Sequence, residues 1–357
     1  MGNAKVRFGF LFAFIVSSTG LAWAQQPAIG VVAPLSGPLA VLGTQVETGA
    51  LQAVAKTRST IVMLDDECSA EGGEKVAREA IQQNLRVLIG FLCAESLETA
   101  LPVLKQAKIP VVSIGVRNRS LTDQRSKTGW NVFRLAPRSD SEAQAVARII
   151  PPMWREKPFA IVDDGTLYGR ELAESLRAAS TEARLNPVFT DTYRPDLDNQ
   201  IGLIGRLRRA GATHVFVGGS LRDIAIMARD AASLGSTMVF AGGEVLRNDE
   251  SDIPLAKGTI MVGLPEWREI TDKDVLAHLE TQQIIPDGYV LPAYAAVQIA
   301  IEALATMPDD PTSALAMRVF KTALGDIEFD AKGDVSRSLY DAFVFDGQRF
   351  VPMGKQR

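Results

Sequence analysis

The stretch Ile61–Ser96, IVMLDDECSAEGGEKVAREAIQQNLRVLIGFLCAES, limits the fold more than any other part of the chain. Two short apolar runs, Ile61–Leu64 and Val87–Leu92, enclose a segment, Glu74–Gln83, in which Val76, Ala80 and Ile81 are spaced for one helical face. Strand, helix and strand joined this tightly imply a parallel pair with a right-handed crossover. Each run is followed by a cysteine, Cys68 and Cys93, and the chain has no others. Both then lie at the carboxyl ends of neighbouring strands, the edge at which open parallel sheets bind ligands.

At 357 residues the chain has length for two domains, and 46% hydrophobic with 22% charged residues is a globular composition. A formal charge of −4 gives no electrostatic case for nucleic-acid binding. Residues 1–24 read as a secretory signal peptide: Lys5 and Arg7, the apolar core Phe8–Val16, and the cleavage motif Ala22-Trp23-Ala24 before Gln25. The competing reading, a membrane anchor, needs about 20 apolar residues. The mature chain is therefore expected outside the cytoplasm, in the periplasm. Two cysteines in an exported chain point to one disulfide, Cys68–Cys93, with two buried free thiols as the alternative.

Along the chain, short apolar runs alternate with helical patterns. Strands are expected at Ile29–Ala33, in the two runs of the cysteine unit, at Pro110–Ile114 and at Val132–Leu135. The alternation restarts with a helix at Ser139–Ile150, N-capped by Ser139 or Asp140, and strands at Phe159–Val162, Pro187–Thr190, Thr213–Val217, Thr237–Ala241 and Thr259–Val262. Helices are then expected at Tyr289–Thr306 and Pro311–Leu324. Ile327–Asp330 and Leu339–Phe345 read as antiparallel closing strands around a Gly333-Asp334 turn. The expected fold class is α/β, with two Rossmann-like lobes of parallel sheet joined by three crossovers. Lobe 1 takes 25–137 and 266–334, lobe 2 takes 138–265 and 335–357, and crossings fall near Ala136–Ser139, Gly263–Glu266 and Gly333–Leu339. Short crossings without a Pro/Ser-rich linker make a hinged cleft.

Catalytic constellations are missing. There are two histidines, His214 and His278, and there is no H-E-x-x-H, G-x-S-x-G, P-loop or G-x-G-x-x-G after the first strand. No metal or cofactor is expected. Asp65-Asp66-Glu67 and Asp163-Asp164 could bind a cation or act as acid and base, but strand-end acids serving as loop and helix caps are the commoner case. Small and polar residues instead recur after strand ends: Ser36-Gly37, Ala94–Ser96, Gly115–Arg119, Tyr168-Gly169, Gly219-Ser220 and Gly243-Glu244. Glycines there let backbone amides approach a ligand.

These pieces resemble the type I periplasmic solute-binding proteins of branched-chain amino-acid ABC transporters, the leucine/isoleucine/valine-binding group. The matching segments are VVAPLSGPLAVLG with TGALQAV, the DDECS and IGFLCAES pair, DDGTLYGRELAESL, HVFVGGS and VFAGGE, which together span most of the mature chain. The resemblance implies a disulfide between the two cysteines and a ligand closed between the lobes. It also implies that Glu244 faces an α-ammonium group, that Tyr168 covers the ligand, and that Cys93, Ala94, Gly115 and Arg117 lie where the α-carboxylate is held. The chain departs from the pattern in four places. Ala94 stands for a serine, Arg117 for a threonine, Leu42 for a tyrosine, and Ser220 for another tyrosine. Arg117 can replace the lost hydroxyls as a two-bond carboxylate grip, or it points to solvent or pairs with an acid such as Glu95.

The expected function is therefore solute binding for an ABC importer, most simply of branched-chain amino acids. The partners are a small-molecule ligand and an inner-membrane permease, and the protein acts as a monomer and catalyses no reaction. The competing readings are the same fold holding another small carboxylate or amide, a sensory subunit, and an exported α/β enzyme.

Overall fold

A computed structural model describes residues 29–248 and 251–354. The leader expected at 1–24 lies outside the described residues. Among them, no single helix is long and apolar enough to cross a membrane.

The first half alternates strictly: β1 (Ile29–Ala33), α1 (Ala40–Val54), β2 (Ile61–Asp65), α2 (Ala70–Gln82), β3 (Val87–Gly90), α3 (Ala94–Gln106), β4 (Val111–Ser113), the short α4 (Ser120–Asp123) and α5 (Arg125–Thr128), then β5 (Val132–Arg134). The five strands form a parallel sheet in the order β2-β1-β3-β4-β5. β1 and β3 are buried at every position because helices cover both faces of the sheet. α2 and α3 pack on one face, and α1 packs on the other.

The strand order corrects one expectation. β2 and β3 are not neighbours; both pair with β1, which lies between them. The chain leaves β1 toward one side of the sheet through α1 and returns past it through α2, so the direction of winding reverses beside β1. Open α/β sheets bind ligands at such a reversal. The helix of this unit also starts earlier than the expected Glu74, at Ala70, where the Ser69 hydroxyl accepts from the Gly72 amide. It buries Val76, Ala77 and Ala80, while Ile81, expected on that face, is exposed one position round the helix.

The second half repeats the plan: α6 (Ser141–Met153), β6 (Phe159–Asp163), α7 (Leu167–Glu182), β7 (Phe189–Thr192), α8 (Ile201–Arg209), β8 (His214–Gly218), α9 (Leu221–Ser233), β9 (Val239–Gly242), α10 (Val245–Asn248) and β10 (Ile260–Gly263). Its parallel strands run β10-β9-β8-β6-β7, the same winding as the first sheet. Asp140 is the N-cap residue of α6, as one of the two expected caps, but its carboxylate binds Arg138 and Gln144 rather than the helix amides.

From β10 the chain returns to the first sheet as α11 (Trp267–Ile270), α12 (Lys273–Thr281), α13 (Val290–Thr306) and α14 (Pro311–Met317). α13 is buried almost all round and lies against α1, where Gly49 leaves no room for a Cβ beside the Val290 carbonyl. The expected long helix at 311–324 stops at Met317. Residues beyond it form a hairpin, β11 (Val319–Thr322) with β12 (Gly325–Glu328), because the β-branched and aromatic run VFKT pairs better than it coils. β13 (Asp341–Phe345) then adds antiparallel to β10, and β14 (Phe350–Pro352), which the sequence reading did not place, adds to β13.

The chain therefore passes between the sheets at 135–140, 264–266 and 329–340. The first and third passages are pinned together. The Asp334 carboxylate accepts from Arg134 Nε (2.8 Å) and Nη2 (2.6 Å), from Thr122 Oγ1 (2.9 Å) and from Arg138 Nη1 (3.0 Å). Arg134 is fully buried, so this is a desolvated ion cluster held together by complete hydrogen bonding.

Candidate functional site

At the carboxyl edge of the first sheet the two cysteines form a disulfide, with Cα atoms 5.3 Å apart. It runs across the end of β1, from the loop after β2 to Cys93, the N-cap residue of α3. Beneath it Asp66, fully buried, takes the hydroxyl of buried Ser96 and the Cys68 amide. Burial raises the Asp66 carboxyl above its ordinary range, and these hydrogen bonds oppose that shift. The crosslink thus fixes the start of α3, and Ala94 with it, against the loop after β2.

The loop after β4 carries Gly115 and Arg117. Gly115 packs where a Cβ would meet the Leu92 backbone, and its amide donates to the Phe91 carbonyl at 3.2 Å. Arg117 is exposed but tethered: Nε donates to the Pro137 carbonyl at 3.2 Å, and Nη2 donates to the Tyr340 hydroxyl at 3.0 Å. Gly115 and Arg117 line a largely apolar cavity of about 290 Å³, together with Trp267, Tyr289, Ile327 and Leu339. Such a volume approaches the lower end of small-molecule pockets, roughly 300 Å³. It lies beside the passages between the sheets.

On the second sheet a carboxylate cluster forms. Glu142, in the first turn of α6, accepts at Oε1 from the Tyr168 hydroxyl and from the Glu244 amide, both at 2.7 Å. Tyr168 stands in the first turn of α7, and Glu244 precedes α10. Gly243 permits the convergence, because a Cβ there would strike Glu142 Oε1 and the Tyr168 hydroxyl. The Glu244 side chain itself accepts weakly from the Leu264 amide at 3.4 Å.

Electrostatics join the two sides. Burial raises the Glu142 carboxyl; its two hydrogen bonds lower it, the Glu244 carboxylate raises it further, and Arg117 draws it down. The Tyr340 hydroxyl is likewise raised by burial, then by Glu244, with Arg117 opposing and Glu142 adding. Arg117 therefore lines the apolar cavity while its charge reaches the Glu142 and Tyr340 side chains. Burial and Glu142 also push the Tyr168 hydroxyl far up, so it is a donor at any working pH.

Of the residues singled out from sequence, Gly115 and Arg117 meet at the cavity, and Tyr168 and Glu244 meet through Glu142. Cys93 and Ala94 sit half-buried at the start of α3. Ser220 stands apart from the Glu142 cluster in its bonding: it caps α9, with its hydroxyl donating to Asp223 and accepting from the Asp223 amide. The strand-end acids are caps. Asp65 accepts from the Leu35 and Glu67 amides, Asp163 from the Gly165 amide and Thr192, and Asp164 from Thr166. Among the described residues no group of acids, histidines and cysteines has the arrangement of a metal site. His214 packs its ring edge-on to Trp154, and His278 bonds Gln52.

Sequence reasoning missed Glu142, Tyr340, Trp267 and Tyr289. An acid in a first helical turn reads as complementing the helix dipole, and no short motif surrounds any of the four.

The chain matches the family model described as periplasmic binding protein over residues 26–342. Leu/Ile/Val-binding protein homolog 3 of Brucella melitensis is 26% identical, covering 98% of this chain and 99% of its own. A protein described as a branched-chain amino acid ABC transporter from Rhodospirillum rubrum superposes with a TM-score of 0.75 at 17% identity, over 92% of this chain and 99% of its own. An ABC transporter substrate-binding protein from Desulfitobacterium hafniense in complex with Leu superposes with a TM-score of 0.62 at 21% identity, over 92% and 99%. The repeated winding of two parallel sheets, three passages and a family match over most of the length lead to one conclusion: this chain belongs to the periplasmic binding protein family.

Proposed function

We propose that the protein is the periplasmic solute-binding component of an ABC importer for amino acids of the branched-chain class, binding its ligand by hinge closure and handing it unchanged to a membrane permease. The observation that carries this reading is that Arg117 lines an apolar cavity while its charge reaches Glu142, the acid joined to Glu244 through its amide. One cation, a set of acids and an apolar pocket complement a zwitterion with an apolar side chain. The relatives point the same way, one named for leucine, isoleucine and valine and one in complex with Leu.

In this reading the lobes are 25–137 with 266–334, and 138–265 with 335–357, and the cleft lies between them. The start of α3 at Cys93 and Ala94, the Gly115 loop and Arg117 take the carboxylate; Glu244 takes the ammonium; Tyr168 covers the ligand; Ser220 closes the far rim through α9. Contacts with both lobes favour the closed state, which the permease then meets. The protein works as a monomer after loss of residues 1–24.

One observation favours a second ligand class. A guanidinium stands where the resemblance leads one to expect a hydroxyl, which suits a carboxylate ligand lacking an ammonium group. Calorimetric titration of the mature protein with leucine, isoleucine, valine, aromatic acids, short dicarboxylates and amides separates the two. Binding of the three amino acids supports the first reading. Binding of a simple acid alone replaces it with the second, and turnover of any ligand would overturn both.

A further inference from the structure

Glu142 is a half-buried carboxylate whose close hydrogen-bond partners carry no charge. Its two close donors, the Tyr168 hydroxyl and the Glu244 amide, are both uncharged. The guanidinium of Arg117 is occupied elsewhere, on Pro137 and Tyr340. By contrast, Asp334, the buried acid at the hinge, has two arginines in contact. An anion set in a half-buried site without a cation is costly for the fold. Glu142 is nonetheless built in with care, since Gly243 gives up its side chain to admit it. The Glu244 carboxylate is close enough to act on the same groups. The result is a concentration of negative charge on the second-lobe wall, facing one tethered cation on the first.

We propose that Glu142 is a specificity-determining residue of this cleft: with Glu244 it makes the site select a ligand bearing a positively charged nitrogen and reject the otherwise identical acid. Resting on the cleft reading given above, this narrows the ligand class to zwitterions. An ammonium group supplies the cation that the Glu142 and Glu244 carboxylates lack. A carboxylate ligand without it satisfies Arg117 but leaves two neighbouring acids without a cation in a closed, drier cleft, where like charges repel more strongly. The structural alternative is that Glu142 only orients Tyr168 and Glu244 through hydrogen bonds, which an uncharged side chain of the same shape could also do.

The test uses leucine and 4-methylpentanoate, which share a skeleton and differ by the amino group, titrated into the wild-type protein and Glu142→Gln. The amide oxygen of glutamine still accepts from Tyr168. The expected result is a loss of leucine affinity of about 10- to 100-fold, the scale of one charged hydrogen bond, with 4-methylpentanoate unchanged or tighter. The ligand-free melting temperature should hold or rise, because a costly charge has gone. Glu142→Asp should keep the preference for leucine. In the wild type the leucine preference should also shrink as the pH falls through the Glu142 titration, a readout that needs no variant. Equal losses for both ligands, with a pH-independent ratio, overturn the proposal while leaving the cleft reading intact. Failure of wild type to bind either ligand overturns the cleft reading and this proposal with it.

Discussion

Arg117 and Tyr340 are 223 residues apart in the chain, yet the guanidinium of the first donates to the hydroxyl of the second at 3.0 Å. One belongs to the loop after β4, the other to the last passage before β13. With the Pro137 carbonyl as its second anchor, the Arg117 side chain is held at two points. Arg117→Ala should therefore weaken a carboxylate ligand by about 10- to 100-fold, the scale of a charge-assisted hydrogen bond. Its melting temperature should hardly move, since the residue is exposed. Arg117→Lys should recover little, because a point charge lacks the planar fork. Tyr340→Phe frees the guanidinium and should cost a smaller factor, read by the same titration.

The disulfide should stabilise the first lobe by about 2–4 kcal/mol. Denaturant unfolding of the mature protein with and without reductant checks this. Reduction should also weaken ligand binding, because the start of α3 loses its brace to the loop after β2. Unaltered affinity after full reduction would show that Cys93 serves stability alone.

Removing the hinge carboxylate strands two arginines. Asp334→Ala leaves the fully buried Arg134 without its partner and should cost about 3–5 kcal/mol. Asp334→Asn keeps the shape and part of the bonding and should cost less. Equilibrium denaturation of both variants gives the comparison.

The raised Glu142 carboxyl sets opposite trends for stability and binding. The groups facing it are Tyr168, the Glu244 amide and carboxylate, Arg117 and, beyond these, Tyr340. Its folded-state pKa lies above the ordinary value of 4.5, so the folded protein binds the extra proton more readily than the unfolded chain. The Glu142 contribution to stability therefore falls as pH rises from 4.5 through the raised value. Ammonium binding needs the ionised form, so leucine affinity should rise over the same window. Melting curves and titrations at matched pH should show the two slopes with opposite sign, and Glu142→Gln should flatten both.

Gly243→Ala tests whether the acid cluster depends on a missing side chain. Its Cβ would collide with Glu142 Oε1 and the Tyr168 hydroxyl. Overpacking of this kind costs about 1–3 kcal/mol. Loss of ligand binding should exceed what the fall in melting temperature explains, because the displaced groups belong to the proposed cleft.

Most of the architecture was legible because buried parallel strands leave continuous apolar runs such as IGVVA and VLIG, and the crossover helices carry a clear period. The order of strands was not, because pairing of β1 between β2 and β3 depends on which face each helix covers. The tail was the weakest part. VFKT sits directly behind the helical PTSALAM, and nothing local marks the break at Met317. The proposed site residues divide in the same way. Gly115, Arg117, Tyr168 and Glu244 follow strand ends and announce themselves by position. Glu142 and Tyr340 join them only through contacts 26 to 223 residues away in sequence, and such contacts leave no pattern in a single chain.

The cluster on Asp334 also decides where the molecule can bend. With Arg134, Arg138 and Thr122 all fastened to one carboxylate, residues 138 and 334 are tied to the end of β5 and to α4. The swing of the proposed cleft then turns on the passages at 135–140, 264–266 and 329–340, two of which are fastened to each other. A door hung on three short straps has one easy swing and resists every other. The lips of the cleft should then meet in one register each time, which is what a permease needs if it is to tell a loaded carrier from an empty one by shape.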